Sequence, residues 1–171
     1  MKRFVGGLVL MVILGLCLAG PVGAVDATSS LVVNEVELNP AGRDAGREWI
    51  EIVNESDAAI DLAGWTVSYA YPSEGWILLS ETSVLLGPGE IYVFTYPKLM
   101  LRNADNMIIE LRDPDGNSVY RTSILNDEDN DGQTWQRFDL GADPLFGDLW
   151  VLADGTRGNQ NEFELDSPGQ G

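Results

Sequence analysis

Histidine is absent from the 171 residues of this chain. With it go the commonest general base, the usual partner of a catalytic serine and the commonest zinc ligand. Hydrolases built on that logic are excluded. Cysteine occurs once, as Cys17, inside an apolar run where Leu16 and Leu18 flank it in place of the small residue a lipid attachment site requires. Beyond that run the chain has no disulfide, no thiolate metal site and no thiol nucleophile. Basic residues are scarce, ten Lys and Arg against 27 Asp and Glu, for a net charge of −17. Such a surface repels phosphate backbones, and no local basic patch offsets it, so nucleic-acid binding is not expected. The acidity fits a solubilising surface, adaptation to high salt, or cation binding. Also missing is the 3.6-residue apolar period of a long helix.

What is present begins with a leader. Lys2 and Arg3 precede an apolar run from Phe4 to Ala19, and Gly20-Pro21-Val22-Gly23-Ala24 closes it with small residues. Residues 1–24 read as a signal peptide, with cleavage after Ala24 preferred. The run is shorter than the roughly 20 residues of a comfortable membrane span, although a Leu-rich run of this length, left uncleaved, would serve as an anchor. The expected location is secreted or cell-surface. Cleavage removes Lys2 and Arg3 and no acid, so eight basic residues face 27 acidic ones, a net charge of −19. What remains is enough for one domain with a real core and not for two.

After a polar leader, 25–30, short apolar runs alternate with turn signals, which is an all-β pattern. The predicted strands are Leu31–Leu38, Glu48–Asn54, Trp65–Tyr71, Trp76–Leu79, Ile91–Thr95, Met107–Leu111, Ser118–Ile124 and Thr134–Phe138, with a weaker one at Leu149–Leu152. Asn39-Pro40-Ala41-Gly42, Gly87-Pro88-Gly89 and Asp113-Pro114-Asp115-Gly116-Asn117 are turns. Asp115-Gly116 predicts an antiparallel hairpin between its flanking strands. About seven to nine strands at this spacing suggest a two-layer sandwich spanning 31–155. In Glu48–Asn54 the alternation turns Ile50 and Ile52 to the core. The polar stretch 156–171 is expected to pack loosely or fray.

Several segments carry a family resemblance. Glu48-Trp49-Ile50-Glu51-Ile52-Val53-Asn54 followed by Asp61-Leu62-Ala63-Gly64-Trp65, the opening Val33-Asn34-Glu35-Val36-Glu37-Leu38-Asn39-Pro40, and Leu85-Leu86-Gly87-Pro88-Gly89-Glu90 match the lamin-tail domain pattern in order and spacing. Gly132-Gln133-Thr134-Trp135-Gln136-Arg137 and Asp166-Ser167-Pro168-Gly169 resemble its later segments. The resemblance, to the form found in exported bacterial and archaeal proteins, implies an immunoglobulin-like antiparallel β-sandwich. It implies a binding or scaffolding module, with no catalytic site to transfer, and places Trp49, Trp65 and Trp135 in structural positions.

Chemistry is sparse. Asp127-Glu128-Asp129-Asn130-Asp131-Gly132 reproduces the first half of a calcium loop, with Asp127, Asp129 and Asp131 as oxygen ligands and Gly132 at the turn. The twelfth position, where a bidentate Glu completes such a loop, is Phe138; Asp139, Asp113 or the carbonyl of Gln133 would have to substitute. The competing reading is a solvated acidic loop or an Asx-type turn. Glu35, Glu48, Glu51 and Glu110 are candidates for a carboxylate-pair glycan hydrolase. Against that, acids alternating along strands are expected to face solvent or to pair with arginines such as Arg47 or Arg112. Tyr69, Tyr71 and Trp76 flank a turn and offer an aromatic surface for carbohydrate or protein. The expectation is a non-catalytic exported module contacting an extracellular protein or glycan, with a Ca²⁺-stabilised adhesion or matrix module as the alternative.

Overall fold

Val33-Asn34-Glu35-Val36 does not alternate as a plain strand would, and the first strand solves this with a bulge. In the computed structural model, which describes residues 31–69, 75–98, 100–103, 106–138 and 148–161, β1 (Leu31–Glu37) pairs antiparallel with β2 (Trp49–Asn54). Val33 lies opposite Ile52, yet Glu35 lies opposite Glu51 and Val36 opposite Ile50. Asn34 is therefore the extra residue, and the bulge returns Val36 to the core side while Glu35 stays on the other face. Val33, Val36, Ile50 and Ile52 are all fully buried, as the alternation in β2 requires.

The remaining strands are β3 (Ile60–Asp61), β4 (Thr66–Ser68), β5 (Trp76–Leu78), β6 (Leu85–Leu86), β7 (Ile91–Thr95), β8 (Glu110–Arg112), β9 (Ser118–Arg121), β10 (Gln133–Phe138) and β11 (Leu149–Asp154). A five-stranded sheet runs β11-β10-β1-β2-β7, a four-stranded sheet runs β5-β4-β8-β9, and β3 pairs with β6. Every named strand pair is antiparallel, and the described residues contain no helix. The fold is the expected immunoglobulin-like β-sandwich. The two-residue strands β3 and β6 were not foreseen, being too short to show a period. β8 also begins at Glu110 rather than Met107, because Met107 makes only an isolated bridge with Leu125. The predicted hairpin is β8–β9, closed by Asp113–Asn117 with Gly116 at φ 85°.

Between the sheets lie Val33, Val36, Leu38, Ile50 and Ile52 from one side and Trp65, Val67, Ile109 and Leu111 from the other. Tyr96 is fully enclosed, edge-on to Phe94 at 5.2 Å, and its hydroxyl donates to the Ser68 carbonyl at 2.9 Å. Asn54 ends β2 by donating to the carbonyls of Ala58 and Leu86, at 2.7 and 2.8 Å, while its Oδ1 accepts from the Ser56 N–H and hydroxyl. This side chain fixes the turn to β3 and joins it to β6. Gly64 (φ 82°) lies against Pro114, with only 3.3 Å left for a Cβ. That close approach packs the β3–β4 turn on the β8–β9 hairpin.

Candidate functional site

Residues opposite one another across antiparallel strands share a face. Glu35 is opposite Glu51 on one side and Gln136 on the other, so two acids and an amide form a row across the outer face of the five-stranded sheet. All three are completely buried. The cover comes from the segment after β11. Thr156 donates its N–H to Glu35 Oε1 at 2.8 Å and its hydroxyl to Oε2 at 2.7 Å, and Gly158 donates its N–H to Glu51 Oε1. Thr134 and Gln136 add donors to Glu35 from the sheet. Arg157 lies over the Trp49 ring, 5.2 Å from its centroid, and Asn161 closes the strap on the Asn34 and Arg137 carbonyls. The stretch Thr156–Asn161 is thus fastened to the sheet, where a loosely packed tail was expected; residues 162–171 lie outside the described residues.

This corrects the expectation that the strand acids face solvent or pair with arginine. Glu110 does bind arginines, Arg112 at 3.1 Å and Arg121 at 3.2 Å. Glu35, Glu48 and Glu51 do not follow it, and Arg47 donates to the Ala41 carbonyl. The physical reason is an alternative supply of donors: backbone N–H groups and hydroxyls from neighbouring loops satisfy these carboxyls inside the fold. Glu48 Oε2 accepts from the N–H groups of Met100 and Leu101, at 2.8 and 3.1 Å. Burial pushes Glu48 up to about 7 against those two hydrogen bonds, with Asp44 adding to the rise. Glu51 is also pushed up to about 7, by burial first; Gly158 opposes this and the charge of Glu35 adds to it. As a catalytic pair Glu35 and Glu51 fail on access, since neither has any surface to offer a substrate.

The acidic loop sits at one end of the same sheet, where Asp131 makes a parallel bridge to Pro40. It is hinged on two asparagines. Asn39 donates to the Asp127 carbonyl at 3.2 Å, and its Oδ1 accepts from Asn103 and Asn130; Asp127 in turn donates its N–H to the Asn103 carbonyl at 2.8 Å. Asp127 Oδ1 accepts from the Asp129 N–H at 3.0 Å and Asp131 Oδ1 from the Gln133 N–H at 2.7 Å. Both are Asx turns. Among the described residues no group of three or more acids is gathered to hold a metal ion. Asp113 caps the β8–β9 turn through Asn117, and Asp139 lies outside the described residues. Sequence reading missed Glu37, which is buried beside this loop. Burial raises it to about 7, the Asn39 N–H pulls it down, and Asp127, Asp131 and Glu35 push it up further. Asp127 is raised by burial too.

A pocket of about 370 Å³ opens near the end of the strap, with Val53, Ile91 and Phe138 as apolar lining and Asn34, Arg137 and Asn161 as polar lining. Arg137 is buried and held by Glu55 at 2.6 Å and Asp148 at 2.9 Å. Of the proposed aromatic surface, Tyr69 is half-buried against the core and Trp76 is covered by Arg112, 3.9 Å above its ring. Tyr71 lies outside the described residues. Trp49 and Trp65 are buried, while Trp135 packs on the core and donates Nε1–H to the Asn126 carbonyl at 2.9 Å.

Comparison with curated proteins and with solved structures gives no match. The profile of the Lamin Tail Domain family matches residues 24–125, from ahead of β1 through β9 to Leu125; β10, β11 and the strap follow the matched region. With the sandwich, its buried tryptophans and the Asn54 turn all in place, the chain belongs to the lamin tail domain family.

Proposed function

We propose that this protein is a non-catalytic exported module that acts through protein or glycan contacts at the cell surface. The observation that carries the reading is the pocket bounded by Val53, Ile91, Phe138, Asn34, Arg137 and Asn161, which combines apolar area with amide groups as recognition sites do. It adjoins β7, an edge strand of the larger sheet. The buried state of Glu35 and Glu51 supports a role without turnover, and the signal-like leader supports export. The acidic surface argues for a partner other than nucleic acid.

The test is a glycan array and envelope-protein crosslinking with protein obtained by expressing the full sequence, beside Ile91→Asp. Binding of a defined glycan or protein that Ile91→Asp weakens at least about tenfold, or about 1.4 kcal/mol, is the expected result. Hydrolysis of a bound glycan by the unaltered chain overturns the non-catalytic reading. Binding unaffected by Ile91→Asp removes the pocket from it.

A further inference from the structure

The strap Thr156–Asn161 is held at two buried carboxyls that lie directly opposite each other. Glu35 and Glu51 are cross-strand partners in β1 and β2, and neither has any exposed surface. Residues so paired have Cα atoms only about 4.5–5.5 Å apart and side chains on one face. The strap fastens to each in turn, Thr156 to Glu35 through its N–H and hydroxyl and Gly158 to Glu51 through its N–H. Donors are shared unevenly between the two acids. Glu35 receives further ones from Thr134 and Gln136 on β10. Glu51 has the Gly158 N–H, the side chain of Asn34 and the charge of Arg157, whose guanidinium is itself engaged with the Trp49 ring and the Thr95 hydroxyl. On β7 its cross-strand neighbour is Val93, which carries no charge. Like charges on opposed positions sealed from water repel, so Glu51 takes up its charge readily only when the cover is off.

We propose that the strap is a proton-controlled latch, closed over Glu35 and Glu51 while Glu51 is protonated and released when Glu51 ionises. Fastened by hydrogen bonds and one ring contact, the strap can leave without opening the apolar core. Burial pushes Glu51 up to about 7 under the strap; Gly158 opposes this, Glu35 adds to it, and Asn34 and Arg157 oppose it further. An acid raised in the closed form favours that form at low pH, and the preference is lost as pH rises through about 7. Release wets the row of Glu35, Glu51 and Gln136. It also withdraws Gln160 and Asn161 from the wall of the pocket, so that the pocket is complete only on the acid side of neutrality. This last consequence rests on the partner-binding reading; the latch itself does not.

Hydrogen exchange tests the latch in protein from expression of the full sequence. It is read at the Thr156 and Gly158 amides and corrected for the pH dependence of exchange in an unfolded chain. Between pH 5 and pH 8 their protection should fall at least about tenfold more than that of the β4 amides. Glu51→Gln, neutral at every pH, should remove this extra fall. Glu48→Gln takes away a carboxyl that burial also raises, but one bonded to Met100 and Leu101 rather than to the strap, and should leave the extra fall intact. All of this is measured without a partner, so the latch and the pocket reading, which Ile91→Asp tests, fail separately. Strap amides that follow the β4 amides at every pH in the unaltered chain overturn the latch even if no variant folds. A folded Glu51→Gln chain that keeps the extra fall overturns it as well.

Discussion

At the scale of single residues, the fold is built around carboxyls that a hydropathy pattern assigns to solvent. Glu48 shows why this is tolerated and what it costs. Its Oε2 ties the 100–101 backbone to the start of β2 through two N–H groups, while its Oε1 is enclosed without a partner. The ionised form is therefore half-satisfied, and burial lifts its proton affinity to about 7. Glu48→Gln keeps an acceptor for both N–H groups and removes the charge. We expect this variant to be more stable than the unaltered chain at pH 8, by roughly 1–2 kcal/mol, and equal to it near pH 4. Urea denaturation at the two pH values checks this; a loss at pH 8 would mean that the charge itself holds the 100–101 loop. Gly64→Ala is the backbone counterpart. It places a Cβ 3.3 Å from Pro114 at φ 82°, and should cost about 1–2 kcal/mol at every pH.

At the scale of elements, the legible parts of the sequence were those with a period. β2, β7, β10 and the β8–β9 hairpin follow from alternation and from Asp115-Gly116. The bulge at Asn34 was not legible, because one inserted residue imitates a loss of alternation, and only the pairing of Glu35 with Glu51 reveals it. Glu37 was missed for the same reason: its face depends on that bulge. The strap was missed because Thr156–Asn161 carries no apolar signal; its attachment is made of hydrogen bonds, chiefly to buried carboxyls, and of Arg157 over the Trp49 ring. This makes the strap separable from the core. Glu35→Ala leaves the Thr156 N–H and the Thr134 hydroxyl without their acceptor, and should destabilise the chain by about 2–4 kcal/mol. Hydrogen exchange should quicken first at residues 155–161, while β2 and β4 keep the slowest amides. Uniform acceleration across both sheets would show that the strap is part of the global folding unit.

At the scale of the whole molecule, acidity and burial act together on pH dependence. Glu37, Glu48 and Glu51 are each pushed from 4.5 to about 7 in the fold, in every case chiefly by burial. An acid raised in this way keeps its proton longer when folded than when unfolded, so between those two values the folded chain binds more protons. Stability then falls as pH rises, by up to about 1.4 kcal/mol per pH unit for each group wholly in that regime. The contribution is fully present below about 4.5 and is lost on passing 7. Self-repulsion from the −17 net charge works in the same direction, since ionising further acids adds to it. The thermal midpoint should therefore be highest on the acid side of neutrality and fall by several degrees between pH 5 and pH 8. Added salt should weaken the surface part of this decline by screening, leaving the buried part. Replacing all three glutamates by glutamine should flatten the profile at constant salt, and a midpoint that rises toward pH 8 would show that these carboxyls are ionised at no cost in the folded chain.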